Sequence, residues 1–238
     1  MKCAFLLLFL LSGMLPAQQQ VLVEITAEPH HNLMLENDSV RAFAVTIRPH
    51  EATELTRHEH NFLVVTFQDS EIASWAEGEA GVLTYRFHAN DIHFYFGGRA
   101  RAMRNDTSSE YRNVTVEFLN PKVTTYAYQS NTRRWQYGGN TLLPPVDPRA
   151  KFANQMPLGE ATVKDVQLLP GDEFPAPEKG IAQLLLALSD GQLSAGKEKI
   201  QEDIGGAAWI PSDKAEKLVN KAESARGISP RAAHRFRT

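Results

Sequence analysis

The chain has 238 residues, 42 % hydrophobic and 22 % charged, with a formal net charge of −3. That length and apolar content suffice for one large β domain or two small ones. The slightly acidic balance gives no reason to expect nucleic acid or an anionic membrane as partner, and there is no low-complexity tract.

The first twenty residues, MKCAFLLLFLLSGMLPAQQQ, have the three parts of a secretory signal. Lys2 supplies the positive start, Cys3–Leu15 the apolar stretch, and Ala17 the small residue before a polar QQQ. The apolar stretch is too short to span a bilayer. A signal peptide over 1–17 is expected, cleaved on export, giving a secreted or periplasmic protein with no membrane span. Cys3 is the only cysteine, so the mature chain would carry no disulfide and would depend on its core alone.

From Val40 to Phe118 the sequence is a string of short β-like runs, among them VRAFAVTIRP, NFLVVTFQD, GVLTYRFHAND, IHFYF and YRNVTVEFLNP. RNVTVEFL alternates, with Val114, Val116 and Phe118 on one face and Asn113, Thr115 and Glu117 on the other. In IHFYF the apolar face of Ile92, Phe94 and Phe96 is expected to be buried, which puts His93 outside; His88 is placed outside on the same reasoning. Gly97–Gly98 and, further on, Gly171 read as tight turns with positive φ.

Residues 138–159 change texture, rich in proline and glycine, and read as an inter-domain connector. Beyond them the first pattern returns. Val45–Ser70 aligns without gaps to Val166–Gly191, with Pro49 meeting Pro170, Leu63–Val65 meeting Leu184–Leu186, and Asp69 meeting Asp190. Phe94–Asn105 aligns to Trp209–Asn220, both ending in asparagine. This is the pattern of an ancient duplication.

The duplicated pattern resembles the cupin superfamily, specifically a bicupin. Its first motif runs Gly, five residues, His-x-His, three or four residues, Glu, then Gly; its second runs Pro-x-Gly-x-x-His-x-x-x-Asn. The resemblance implies an all-β fold of two double-stranded β-helix (jelly-roll) barrels in tandem: an N-terminal barrel over 18–137, the connector over 138–159, and a degenerate C-terminal barrel over 160–238. It also implies metal ligands at the two His and the Glu of the first motif and the His of the second. The N-terminal repeat keeps His58 and His60, but Val64 stands where the Glu belongs and Arg101 where the second-motif His belongs. Gly98 and Asn105 are kept. The C-terminal repeat has Lys179, Ile181, Leu185 and Glu216 at the four ligand positions, so no metal site is expected there.

His58, His60 and Val64 fall on one face of an extended chain, which the resemblance turns into the barrel. Two imidazoles facing a guanidinium that cannot lose its proton make a poor metal site. No cofactor is therefore expected, beyond weak divalent-metal binding at His58 and His60. The same three side chains form a positive cluster suited to a carboxylate or phosphate. The alternative for Arg101 is an ion pair at the rim with Glu51, Glu54 or Glu59. Both readings stay open at this point.

Asn37, Asn105 and Asn113 begin N-glycosylation triplets, although Asn105 and Asn113 are read as structural. The C-terminus, GISPRAAHRFRT, lacks the alternation of a last strand, which would leave a sheet edge open, as in an irregular tail or a reading-frame change. No phosphate loop, nucleophile elbow or helical histidine pair occurs.

With no complete catalytic set, whether the chain is an enzyme stays open, and a binding role is preferred. The expected function is an exported cupin-like protein binding a small molecule around His58, His60 and Arg101, an acidic one on the first reading of Arg101. The alternatives are a metal-dependent cupin oxygenase or isomerase using His58 and His60, and a structural protein of the cell envelope. A homodimer is implied by the resemblance only.

Overall fold

A computed structural model describes residues 21–79, 81–124, 152–221 and 234–237. The expected signal peptide, and with it Cys3, lies outside the described residues, as does most of the connector. The first repeat forms β1 (Leu22–Glu24), β2 (His31–Glu36), β3 (Val40–Ile47), β4 (Leu55–Arg57), β5 (Phe62–Thr66), β6 (Ser70–Ala76), β7 (Leu83–Phe87), β8 (Ile92–Tyr95), β9 (Ala100–Arg104) and β10 (Tyr111–Phe118). The second forms β11 (Phe152–Leu158), β12 (Ala161–Leu168), β13 (Glu173–Phe174), β14 (Gln183–Ala187), β15 (Gly191–Ala195), β16 (Glu198–Glu202), β17 (Ala207–Ile210), β18 (Leu218–Asn220) and β19 (His234–Arg237). The one helical element among the described residues is a single 3-10 turn, Ile25–Ala27.

Each repeat folds as two facing sheets. In the first they run β1-β4-β9-β6-β7 and β2-β3-β10-β5-β8; in the second, β13-β18-β15-β16 and β11-β12-β19-β14-β17. The two orders match strand for strand, apart from β1, which pairs parallel to β4. This is the jelly-roll pattern repeated.

The duplicated residues do the same jobs in both halves. Asn105 Nδ2 donates to the Ile47 carbonyl at 3.0 Å, and Asn220 Nδ2 to the Leu168 carbonyl at 2.9 Å. The backbone N–H of Asn105 donates to Glu51 O and that of Asn220 to Asp172 O, each at 3.0 Å. The returning bonds come from the N–H groups of His50 and Gly171, which both have positive φ, 64° and 83°. Asp69 Oδ1 accepts from Ala89 N and Asp190 Oδ1 from Ile204 N, fixing the turn before β8 and β17. Few identities survive, and two of them, Asp69/Asp190 and Asn105/Asn220, have side chains that close loops which backbone pairing cannot close.

The aliphatic faces of β5, β8 and β10, with Val40 and Ala42 of β3, do not line the interior of their own sheet pair. Ala42, Leu63, Val65, Ile92, Val114 and Val116 pack against Leu158, Val163, Leu186 and Leu188 of the second repeat in one continuous core. A fully buried aliphatic side chain contributes about 1.5–3 kcal/mol relative to exposure, so this face-to-face packing holds the halves together. A separate core, Phe43, Val45, Ile47, Tyr111 and, from the facing sheet, Ile72 and Phe87, closes one end of the N-terminal pair. The C-terminal pair is filled by Val166, Leu168, Phe174, Leu185, Leu193 and Leu218.

Three expectations are corrected. Within the expected connector, Phe152–Leu158 is a strand pairing with β12, because its residues hold a sheet edge of the second half. The arginine-rich tail does supply the missing strand: β19 lies between β12 and β14, where backbone pairing outweighs weak alternation. His93 is buried at 6 % exposure and faces inward, because the apolar face of β8 is claimed by the second half. His88, in contrast, is 76 % exposed at the side chain, as expected. Asn105 and Asn113 are 1 % and 3 % exposed, so neither glycosylation triplet is accessible in the folded chain.

Asn105→Ala removes a buried side chain bonded to Ile47 O, Ser109 O and Thr107. Urea unfolding should show a loss of about 2–4 kcal/mol. Deleting residues 234–238 separates β12 from β14. Amide exchange should then lose protection in those two strands while β3 and β5 keep theirs.

Candidate functional site

Inward-facing positions of the N-terminal sheet pair divide by depth. One end is the apolar core around Phe43 and Tyr111; towards the other, β10 carries Asn113, Thr115 and Glu117, at 3 %, 3 % and 0 % exposure. Thr115 Oγ1 donates to Asn113 Oδ1 at 2.9 Å. Thus the polar face of RNVTVEFL is interior, not solvated.

His58 directly follows β4, on the inward side with Thr56. Its Nδ1 is 2.9 Å from Glu117 Oε1, and its ring stacks on Phe62 at 4.0 Å between centroids. Burial lowers the imidazole below its usual range despite the pull of Glu117, so the ring is neutral near pH 7. A neutral ring beside a carboxylate donates its Nδ1 proton and keeps Nε2 as an acceptor. On its other side Glu117 meets Arg41, whose Nη2 lies 2.8 Å from Oε2 but off the line of a hydrogen bond. Burial raises the Glu117 carboxyl, yet the hydrogen bond from His58 and the positive charge of Arg41 bring it below its ordinary value.

His60 sits half-buried in the bend before β5. The bend is pinned by the following turn: Gly98 N–H donates to His58 O at 2.7 Å. A Cβ on Gly97 would lie 2.5 Å from the His60 carbonyl carbon, so close backbone approach requires glycine at 97, while Gly98 has the positive φ, 87°. Val64 is buried between Thr115 and His93 in register and brings no donor atom.

Arg101, on β9, pairs with Thr56 of β4. Its guanidinium carbon stands 5.9 Å from the centroid of the Tyr95 ring. Tyr95 stacks on Phe62 at 5.2 Å, and burial raises its phenol. Among the described residues no carboxylate is within ion-pair distance of Arg101, so the rim pairing with Glu51, Glu54 or Glu59 is not made. A further acid, Glu28, is held by His31 Nδ1 at 2.6 Å, His30 Nδ1 at 2.8 Å and the backbone N–H groups of His30 and Glu54. Burial pushes Glu28 up, but these bonds outweigh it and bring its carboxyl down to about 2.

The four positions at which the resemblance implies metal ligands do not fit a metal. Val64 cannot coordinate and Arg101 is a fixed cation, which leaves His58 and His60 as the two remaining donors, one fewer than a catalytic metal requires. Among the described residues no group of three or more His, Cys, Asp or Glu is arranged to hold an ion. Sequence reasoning missed Glu117, Arg41 and Tyr95.

No protein-family model matches the sequence, and no curated protein does so. Solved structures do match. AerE from Microcystis aeruginosa is 10 % identical, with 88 % of this chain and 96 % of that chain covered and a TM-score of 0.55. A salicylate 1,2-dioxygenase from Pseudaminobacter salicylatoxidans is 13 % identical over 87 % of this chain and 75 % of that one, TM-score 0.55; it has also been solved with gentisate. A cupin 2 conserved barrel domain protein from Leptotrichia buccalis is 8 % identical over 87 % and 86 %, TM-score 0.53. The chain has the cupin fold.

The charge network sets the pH response. Glu28 and Glu117 have folded values below the unfolded 4.5, so their stabilisation is present above that pH and is lost as pH falls through the folded values. His58, lowered from 6.5, adds to the loss below that pH. For Glu28 the shift corresponds to about 3 kcal/mol. Urea midpoints should therefore fall steadily from pH 6.5 towards 2. Glu28→Gln should already be weakened at pH 7 and show a flatter profile below 4.5; equal slopes in the two proteins would contradict this assignment.

Proposed function

We propose that this chain is an exported cupin-fold protein that binds a small acidic molecule inside its N-terminal barrel, with His58, His60 and Arg101 as contacts. The observation that carries the reading is Arg101: an inward-facing guanidinium beside Tyr95 with no carboxylate partner among the described residues. The guanidinium is half-buried, and a ligand carboxylate would pair with it bidentately. Neutral His58 offers an acceptor at Nε2, and Phe62 and Tyr95 give an apolar wall. The dioxygenase of the same fold has been solved with gentisate, a small acid. Export is supported by the first seventeen residues of the sequence alone. No helix among the described residues is long and apolar enough to cross a membrane. The C-terminal barrel, filled with aliphatic side chains, has a structural role, and no nucleic-acid partner is proposed.

The test is a thermal-shift screen of the full chain against small organic acids, including salicylate and gentisate. An acid at a hundred times its Kd should stabilise the native protein by about 2.7 kcal/mol. The shift should vanish in a His58→Ala/Arg101→Ala double variant. A screen in which no acid stabilises the wild type, or in which the variant responds equally, sinks the proposal.

A further inference from the structure

We infer that the Arg101 guanidinium replaces the metal ion of this fold as a built-in cation, so that the site takes a carboxylate monoanion without any metal. The inference rests on the reading above and narrows it to one ligand class and one mode of binding.

Position is the first support. Arg101 occupies the second-motif ligand position, on β9 directly opposite Thr56 of β4, whose hydroxyl donates to the Arg101 carbonyl at 3.4 Å. His58 lies two residues beyond Thr56, directly after β4, and reaches Arg101 through the ring stack on Phe62 and Tyr95. The retained histidine and the substituted residue therefore still face one volume. The guanidinium is kept beside the ring ladder Tyr95–Phe62–His58.

The second support is the accounting of charge around that volume. Arg41 is taken by Glu117, Glu117 also by His58, and Glu28 by His30 and His31. Arg101 is left without a counterion among the described residues. An added divalent cation at the ligand positions would meet that fixed charge and be repelled. An anion would be attracted, with a limit on its charge. The buried carboxylates Glu117 and Glu28 disfavour a phosphate dianion, while a single planar guanidinium matches the two oxygens of a carboxylate. Lysine, a point charge, would not reproduce that fork.

Titration calorimetry on the full chain tests this, with salicylate, gentisate and inorganic phosphate as probes, each in EDTA and with added Mn, Fe or Zn. The wild type should bind an aryl carboxylate equally well in EDTA and with metal, and phosphate far more weakly. Arg101→Lys should weaken the carboxylate about tenfold or more. A Val64→Glu/Arg101→His variant, which restores the motif ligands, should take up close to one equivalent of metal where the wild type takes none above a His58→Ala/His60→Ala control. Binding abolished by EDTA, phosphate binding as tight as carboxylate, an unchanged Arg101→Lys, or a folded double variant that takes no metal would each overturn the inference while leaving acid binding in place. If the double variant does not fold, Arg101→Lys and the EDTA comparison decide. Wild-type protein that binds none of the probes overturns the inference; silence across the wider acid screen overturns the broader reading as well.

Discussion

Everything in this molecule follows from packing one sheet of the first repeat against one sheet of the second. Leu63, Val65, Val114 and Val116 meet Leu158, Leu186 and Leu188, and a strand has only two faces. Once the aliphatic face of β10 is spent on the partner repeat, Asn113, Thr115 and Glu117 must point into the N-terminal sheet pair. The same constraint turns His93 and Tyr95 inward. A polar interior is thus a consequence of the duplication: the two halves cover each other's apolar surface, and the interior is relieved of that task.

A buried carboxylate at 0 % exposure is costly unless it is paired. Glu117 satisfies the condition on both oxygens, with His58 and Arg41, and in doing so holds the imidazole in one tautomer. Structure and site chemistry are coupled here: the pair that makes the interior tolerable also fixes which nitrogen of His58 is free. Arg101 differs in having no acid among the described residues, and its contact with Tyr95 supplies only part of what a carboxylate would.

The second repeat shows what the same positions become when no polar interior is kept. Val64, Thr66, His93 and Tyr95 correspond to Leu185, Ala187, Ala208 and Ile210. Leu185 and Ala187 lie in an aliphatic core that includes Ile210, with Ala208 packed against it. Two halves with matching strand orders have therefore diverged into a polar interior and a filled one.

The all-β character, the repeat offset and the loop-closing residues were legible in sequence, because each is local. Alternation, turn residues and the matched pairs Asp69/Asp190 and Asn105/Asn220 act within a few residues of chain or across one loop. The half-lost motif at His58, His60, Val64 and Arg101 was legible for the same reason. Facing was not. Alternation in β8 and β10 tells which residues share a face but not which face meets water, and when both are covered the polar side is the interior. Nor could composition place His234–Arg237 between β12 and β14, where pairing with two neighbours decides. By itself the sequence determined the all-β character, the duplication and the broken ligand set. Only tertiary structure decided that Glu117, Arg41 and Tyr95 surround the histidine and the arginine, because residues from 41 to 117 meet there through long-range strand pairing that no local pattern encodes.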